Sequence, residues 1–211
     1  ITSWLAFSLP KTATTPHIFS LFKKIFIKIK FSKIFKLYIY NVKRYNIFME
    51  ICSIILSAGK GSRMFSDTPK PLHLISGKPM LKWVIDANKS ANINKCIIVI
   101  PEESKAFEGI SNGFDTVVQK IPKGTGDAVK KASVLLKKFT GIILVCFGDT
   151  PFLTSQTLKK IIKSFNSETK LVITGFKKNE KNNYGKIIFS TKNEPIEIIE
   201  QKDAEKGSIH S

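Results

Sequence analysis

The sequence of 211 residues has few cysteines, no long apolar run and, over its first 48 residues, no acidic side chain. Its three cysteines, Cys52, Cys96 and Cys146, each lie within an apolar segment and follow no paired spacing. An odd number of cysteines without such spacing argues against a disulfide framework and against a zinc site. We therefore predict buried thiols that pack as small hydrophobic side chains, and a reducing cytoplasmic compartment.

Residues 1–48 contain eight lysines and one arginine, which together supply half of the net charge of +18. Lysines interrupt the apolar residues every few positions, so no stretch reaches the roughly 18 apolar residues that a transmembrane helix needs. The segment also lacks the apolar core and cleavage site of a signal peptide. A membrane-surface anchor is one interpretation. We favour the other, a non-native or poorly ordered basic apolar extension before a domain that starts at Met49.

From residue 50 onward, short apolar runs alternate with segments of helical periodicity. Apolar strands alternating with helices are typical of an α/β fold, a mainly parallel sheet with helices on both faces. Ligands bind such sheets beyond the carboxyl ends of the strands. Ser155 is the predicted N-cap of the last helix. The predicted elements are strands at 50–57, 94–101, 141–149 and 170–176, helices at 78–91, 125–139 and 155–165, and a β-ribbon formed by 184–190 and 194–203.

A loop rich in glycine and cationic residues, LSAGKGSRMFSDTPK, follows the first strand at residues 56–70. It lacks the spacing of a Walker A loop, because Ile54 stands five residues before Gly59, and it lacks the third glycine of a dinucleotide-binding loop. Its glycines allow backbone N–H groups to approach phosphates closely, and Arg63 and Lys70 add positive charge. The loop therefore predicts phosphate binding; the alternative is an ordinary glycine turn with solvated basic residues.

This loop resembles the signature L-x-x-G-x-G-S/T-R-M followed by P-K of sugar-nucleotide pyrophosphorylases. The resemblance continues through PLHLISGKPMLKWVIDA, QKIPKGTGDAV, FGDTPFLTSQTL, YGKIIF and IIEQKDA, from residue 50 to about 204. The segment is similar to the N-terminal domain of bacterial bifunctional N-acetylglucosamine-1-phosphate uridyltransferase/glucosamine-1-phosphate acetyltransferases. The resemblance implies a Rossmann-like nucleotidyltransferase fold over residues 49–211, incomplete at its carboxyl end relative to that family.

The resemblance implies an enzyme that transfers a uridylyl group from UTP to N-acetylglucosamine 1-phosphate, giving UDP-N-acetylglucosamine and pyrophosphate. It implies Mg²⁺ as the cofactor and a cytoplasmic location in the supply of peptidoglycan and lipopolysaccharide precursors, without nucleic-acid or membrane partners. Full-length relatives are expected to be homotrimers through a C-terminal acetyltransferase domain that this chain does not contain.

The resemblance also assigns roles to individual residues. Catalytic roles fall on Arg63 and Lys70, and the metal ligand is Asp149. Ser57 stands where the family usually has alanine, and Asp127 where it often has histidine. The substrate-binding residues are Leu56, Ser57, Ala58, Gly59 and Lys70 in the glycine loop, Gln119, Gly124 and Thr125 at the uracil, Phe147, Gly148 and Asp149 at a strand end, and Gly185 and Glu200 at the amino sugar.

These residues also have ordinary structural interpretations. Gln119 can be interpreted as a surface residue at the end of a short strand, and Asp149 as an aspartate that caps a helix. Gly185 then belongs to a turn, and Glu200 is a solvated strand carboxylate. For the whole chain, two alternatives stay open: a nucleotidyltransferase for another sugar phosphate or nucleotide, and a basic nucleic-acid-binding module.

Overall fold

The structure is a computed structural model, and it describes residues 5–8, 49–59, 61, 64–103, 105–166, 169, 171–175, 186–191 and 195–199. No helix within those ranges is long and apolar enough to cross a membrane. The strands are β1 (Leu5–Ser8), β2 (Glu50–Leu56), β3 (Leu74–Ile75), β4 (Lys78–Pro79), β5 (Lys95–Pro101), β6 (Asp115–Gln119), β7 (Gly141–Phe147), β8 (Leu171–Ile173), β9 (Lys186–Phe189) and β10 (Pro195–Ile199). The helices are α1 (Met80–Ser90), α2 (Glu108–Ser111), α3 (Thr125–Ala132) and α4 (Ser155–Lys163), with 3₁₀ turns at Lys70–Leu72, Lys105–Phe107 and Ser133–Leu136.

Six of these strands form one sheet in the order β6-β5-β2-β7-β1-β8. Strand β2 runs parallel to both of its neighbours, β5 and β7, and β5 runs parallel to β6. Strand β1 lies antiparallel between β7 and β8, so β8 points in the same direction as β7. The sheet is therefore mainly parallel, as predicted. The predicted β-ribbon is also present, as the antiparallel pair β9 and β10.

The central strands consist mainly of apolar residues because helices cover both faces of the sheet. On one face, α1 and α4 pack against side chains that include Ile98 and Leu144. On the other face, α3 packs against side chains that include Ile97 and Ile143. Neighbouring residues of a strand point to opposite faces, so Ile97 and Ile98 belong to different cores. The predicted α/β architecture, with helices on both faces, is confirmed.

Two elements differ from the sequence-based expectation. The helix predicted at 125–139 is α-helical only to Ala132 and then tightens into the 3₁₀ turn at Ser133–Leu136. Strand β6 is absent from the predicted elements and corresponds to the short strand in the alternative interpretation of Gln119, because DTVVQ contains only two apolar side chains. It lies at the edge of the sheet, where few of its side chains need to be buried.

Strand β1 lies within the segment that the sequence predicts to be non-native or poorly ordered. Leu5 to Ser8 pair with residues 142–145 of β7, and Leu5 to Phe7 pair with 171–173 of β8. The four residues Leu5–Ser8, which precede Met49 in the sequence, thus pair with two strands of the sheet. The domain boundary at Met49 itself stays a prediction.

All three cysteines are buried and free, as predicted. Burial raises the pKa of Cys52 and of Cys146 to about 12, and that of Cys96 to about 11. Removing the thiolate form from water is unfavourable, so these thiols stay neutral near neutral pH. They pack as small apolar side chains in the two cores.

Helix α4 begins under a different N-cap from the one predicted. Thr154, and not Ser155, has the extended backbone of an N-cap, and its Oγ1 accepts a hydrogen bond of 3.2 Å from the Thr157 N–H. Ser155 is the first helical residue, where its side chain does not reach the free N–H groups of the first turn. The prediction of Ser155 as the cap was therefore wrong by one residue.

We expect Thr154→Ala to lower the free energy of unfolding by about 1 kcal/mol, because an N-cap hydroxyl satisfies one N–H group of the first turn. Urea denaturation followed by circular dichroism measures the change. Ser155→Ala is the matched control and should change the stability by less than half as much. An equal or larger loss for Ser155→Ala would show that the cap is misassigned.

Candidate functional site

The carboxyl ends of three parallel strands are tied together by backbone hydrogen bonds. The Ser57 N–H donates to the carbonyl of Val99 at 2.8 Å, which joins β2 to β5. The Gly148 N–H donates to the carbonyl of Leu56 at 2.9 Å, which joins β7 to β2. The glycine loop after β2 and the turn after β7 therefore start side by side at one edge of the sheet.

Strand register places the predicted base-reading residue and the predicted metal ligand along this same edge. Gln119 and Asp149 each lie two residues beyond one row of paired residues, formed by Val117, Val99, Leu56 and Phe147. Three strand spacings, about 14 Å, separate β6 from β7. We call this edge, formed by the carboxyl ends of β6, β5, β2 and β7, the shelf. Gln119 lies at one end of the shelf and Asp149 at the other.

In the glycine loop, Gly61 passes so close to Lys70 that a side chain does not fit between them. A Cβ on Gly61 would lie 2.8 Å from the Lys70 Cβ, and the φ of +60° favours glycine. Lys70 begins a 3₁₀ turn directly after Pro69, whose ring limits the backbone. Gly61 therefore packs against the base of the Lys70 side chain and helps to hold that residue in place.

Lys70 and Asp149, predicted as a phosphate-binding cation and a metal ligand, form an ion pair. The Lys70 Nζ lies 2.5 Å from the Asp149 Oδ2. Their side chains are 36 % and 26 % exposed, so both groups can be reached from solvent. The N-cap of α4 is Thr154, which excludes a capping role for Asp149 on that helix. The sequence did not predict the pairing, because 79 positions separate the two residues.

The turn that carries Asp149 packs tightly against the start of the glycine loop. A Cβ on Gly148 would lie 2.2 Å from the Ser57 Oγ, and the Thr150 Oγ1 closes the turn by donating to the Phe147 carbonyl at 2.6 Å. Ser57 is buried, and its Oγ has no hydrogen-bond partner in the described part of the chain. The position of Asp149 is therefore set by a contact between the two loops.

At the other end of the shelf, Gln119 is buried at the last position of β6. Its Nε2 donates to the Gly124 carbonyl at 3.2 Å and to the Asp127 Oδ2 at 2.8 Å. Gly124 is the N-cap of α3, and Thr125 is the first residue of that helix. The interpretation of Gln119 as a surface residue is wrong. The sequence does not predict that Gln119 pairs with Asp127, which stands where the family often has histidine.

The remaining predicted residues divide into those that the structure describes and those that it does not. Leu56 and Ala58 are buried in the core beneath the shelf, Gly59 is exposed, and Phe147 is half-buried. Arg63, Gly185 and Glu200 lie outside the described residues. Among the residues that are described, no group of three or more His, Cys, Asp or Glu side chains could hold a metal ion.

Known proteins resemble this chain along most of its length. A family model described as the MobA-like NTP transferase domain matches residues 53–208. The chain is 36 % identical over 156 residues to the bifunctional protein GlmU of Parvibaculum lavamentivorans, with 72 % of this chain and 34 % of that protein covered. It is 40 % identical over 159 residues to GlmU of Buchnera aphidicola subsp. Schizaphis graminum, with 74 % and 33 % covered. These matches confirm the resemblance that the motifs predicted.

The chain spans about a third of the length of the curated relatives that it matches. Among solved structures, Rv0371c from Mycobacterium tuberculosis H37Rv aligns with a TM-score of 0.47 at 25 % identity. That alignment covers 54 % of this chain and 59 % of the mycobacterial chain.

Proposed function

Because the chain belongs to the MobA-like NTP transferase family and is therefore a nucleotidyltransferase, we propose that its substrates are UTP and N-acetylglucosamine 1-phosphate. The products are UDP-N-acetylglucosamine and pyrophosphate. The observation that carries the proposal is the Lys70–Asp149 pair at one end of the shelf, with Gln119 at the other end. The similarity to GlmU proteins supports the choice of substrates, and the cytoplasm stays the predicted location.

The nucleotide lies across the shelf in this proposal. Its uracil faces Gln119, Gly124 and Thr125 at the end of β6, where a fixed amide offers a hydrogen-bond partner. Its triphosphate lies over the glycine loop between β2 and Lys70, where exposed Gly59 and half-buried Gly61 leave backbone N–H groups accessible. The α-phosphorus then stands near the middle of the edge, within reach of both loops.

Asp149 is the residue that we propose for holding Mg²⁺. One of its oxygens contacts Lys70, and its Oδ1 has no hydrogen-bond partner in the described part of the chain. Mg²⁺ is often bound through one or two carboxylates, together with substrate phosphates and water. A single half-exposed carboxylate beside a phosphate loop fits that pattern. When bound, the ion neutralises charge on the phosphate oxygens.

Lys70 has two anionic partners in this proposal. Without nucleotide its ammonium rests on Asp149, and with nucleotide it turns to the triphosphate, which it reaches from the same shelf. Arg63, whose role is carried over from the family, adds a second cation there. Both cations stabilise the negative charge that collects on the departing pyrophosphate.

The chemical step needs no covalent enzyme intermediate. A phosphate oxygen of N-acetylglucosamine 1-phosphate attacks the α-phosphorus of UTP in line, and the bond from that phosphorus to the β-bridging oxygen breaks. The electron pair leaves with pyrophosphate. The chain contributes by holding the two substrates in line and by neutralising charge. Gly185 and Glu200 remain the proposed contacts of the amino sugar.

Pyrophosphate release from UTP and Mg²⁺, measured with a panel of sugar 1-phosphates, tests the choice of acceptor. We expect the highest kcat/KM with N-acetylglucosamine 1-phosphate, and no release beyond slow hydrolysis without an acceptor. Glucose 1-phosphate and glucosamine 1-phosphate are the matched comparisons, because they differ only at the 2-position of the sugar. Faster turnover with either of them would replace the proposed acceptor and leave the nucleotidyltransferase assignment in place.

The choice of nucleotide predicts different thermal protection by UTP and CTP. A ligand at 100 times its Kd stabilises the folded state by about 2.7 kcal/mol. For a chain of this size, that stabilisation raises Tm by about 5–10 °C. We expect a shift of this size with UTP and about half of it or less with CTP at the same concentration, measured by differential scanning fluorimetry. Equal shifts for the two nucleotides would remove the basis for uracil recognition.

A further inference from the structure

The amide of Gln119 is held in one of its two possible orientations. Its two nearest polar neighbours are the Gly124 carbonyl at 3.2 Å and the Asp127 carboxylate at 2.8 Å. Both groups accept hydrogen bonds and neither donates one, so the nitrogen of the amide must face them. A turn of the amide by 180° would place Oε1 against two acceptors and lose both hydrogen bonds.

The orientation leaves the carbonyl oxygen of Gln119 available to a ligand. Within the ranges that the structure describes, no hydrogen bond reaches this Oε1. Among the described residues, Ser57 Oγ and Asn88 Oδ1 are the two side-chain polar atoms that are both buried from solvent and without a hydrogen-bond partner. The Gln119 Oε1 also lacks a partner within those residues but is not one of these two atoms, so it is accessible to solvent. Gln119 is otherwise buried, with 4 % of its surface exposed. The small accessible part of this residue therefore includes a hydrogen-bond acceptor.

An acceptor at this position distinguishes pyrimidines by the chemistry of ring position 3. Uracil and thymine carry an N–H there and can donate to Oε1. Cytosine carries an unprotonated nitrogen, which is itself an acceptor and would face Oε1 without a proton between them. We propose that Asp127 is a specificity-determining positioning residue, which fixes the Gln119 amide so that the site selects a 3-N–H pyrimidine. This inference rests on the proposed binding of the base beside β6.

Asp127 also has a structural role that has to be separated from this one. It lies in the first turn of α3, where a negative charge stabilises the helix dipole. Loss of that stabilisation would weaken the fold and affect UTP and CTP equally. Loss of the amide orientation would change the ratio of the two affinities. The ratio Kd(CTP)/Kd(UTP) is therefore the readout that a purely structural role does not alter.

The test uses the full chain and isothermal titration of UTP and CTP. An acceptor left facing another acceptor costs about as much as an unsatisfied buried polar group, so we expect a ratio of about 10 to 100 for the unchanged protein. The side chain of Asp127→Asn can either accept from or donate to the Gln119 amide, so that only the longer contact, with the Gly124 carbonyl at 3.2 Å, still opposes a turned amide. We expect its ratio to fall by at least about fivefold. Asp127→Glu keeps an acceptor-only group and should retain most of the selectivity.

Glu102→Gln is the matched charge control, because Glu102 pairs with Lys120 beside Gln119 without touching the amide. This variant should keep the ratio of the unchanged protein. Asp127→Asn with an unchanged ratio, in a protein that does prefer UTP, overturns the role of Asp127 alone. No preference for UTP in the unchanged protein overturns both this inference and the proposed function.

Hydrogen exchange of the Gln119 side-chain amide, observed by NMR, checks the geometry without any ligand. Both of its protons should exchange more slowly than those of Gln156, which is exposed on α4. In Asp127→Asn, at least one Gln119 proton should exchange faster. Equal exchange at Gln119 and Gln156 in the unchanged protein would show that the amide is not held, and would overturn the inference even if the variants fail to fold.

Discussion

Asp149→Ala should lower the kcat for pyrophosphate release from UTP and N-acetylglucosamine 1-phosphate by about 100- to 1000-fold, the loss typical when one preorganised electrostatic contact to a reacting group is removed. Asp149 lies two residues beyond the end of β7, and it is the metal ligand in the proposed mechanism. The substitution also frees Lys70 from its ion pair, so UTP binding should fall much less than turnover. Stopped assays of pyrophosphate over a range of UTP concentrations measure both effects, and repeating them over a range of Mg²⁺ concentrations measures the metal dependence.

Asp67→Ala is the control for this prediction, because Asp67 is an exposed acid three residues before Lys70 that has no role in the proposed mechanism. It should keep the turnover of the unchanged protein. A variant at Asp149 that turns over as fast as Asp67→Ala would exclude Asp149 as the metal ligand. Turnover that survives chelation of Mg²⁺ would exclude the proposed cofactor.

Gly148→Ala should reduce turnover by about 100-fold through a purely steric effect. The added Cβ would lie 2.2 Å from the Ser57 Oγ and 3.3 Å from the Leu56 carbonyl oxygen, so the glycine loop and the turn must separate. A displacement near 1 Å at the reacting groups is enough to cost about 100-fold in rate. The variant should also unfold at a lower temperature, because the contact lies at the buried ends of two central strands.

A double-mutant cycle identifies the clash as the cause. Ser57→Ala removes the Oγ and leaves contacts of 3.3 Å, which small movements can accommodate. The double variant Ser57→Ala/Gly148→Ala should therefore recover much of the turnover and stability that Gly148→Ala loses. Residues in direct contact are expected to show such non-additive effects. Strictly additive losses would mean that Gly148 acts on the site in some other way.

The sequence predicted the central architecture well because burial on both faces leaves a local signal. Strands β2, β5 and β7 consist largely of consecutive apolar residues, and successive side chains of each strand pack into the two cores in turn. Such runs, separated by helical periodicity, are typical of a covered parallel sheet. The edge strand β6 carries little of this signal, and the insertion of β1 between β7 and β8 depends on pairing between residues more than 130 positions apart.

The site was predicted residue by residue, and the contacts between those residues were not. The cationic glycine loop indicated Lys70, and the resemblance to sugar-nucleotide pyrophosphorylases implied the roles of Asp149 and Gln119. The pairing of Lys70 with Asp149 follows from the adjacency of β2 and β7, which a single sequence does not state. Gln119 and Asp127 are only eight positions apart, but their side chains meet because of the turn at Gly124, whose φ is +102°. Side-chain pairs of this kind depend on the turn geometry and not on the periodicity.

The measurement that most directly tests the proposed reaction is the fate of the individual phosphates of UTP. UTP labelled at the α-phosphorus, incubated with N-acetylglucosamine 1-phosphate and Mg²⁺, should place the label in UDP-N-acetylglucosamine. UTP labelled at the γ-phosphorus should place it in pyrophosphate, in equal amount. Label from the γ-position on the sugar phosphate would identify a phosphoryl transfer and contradict the account, as would a complete absence of labelled sugar nucleotide.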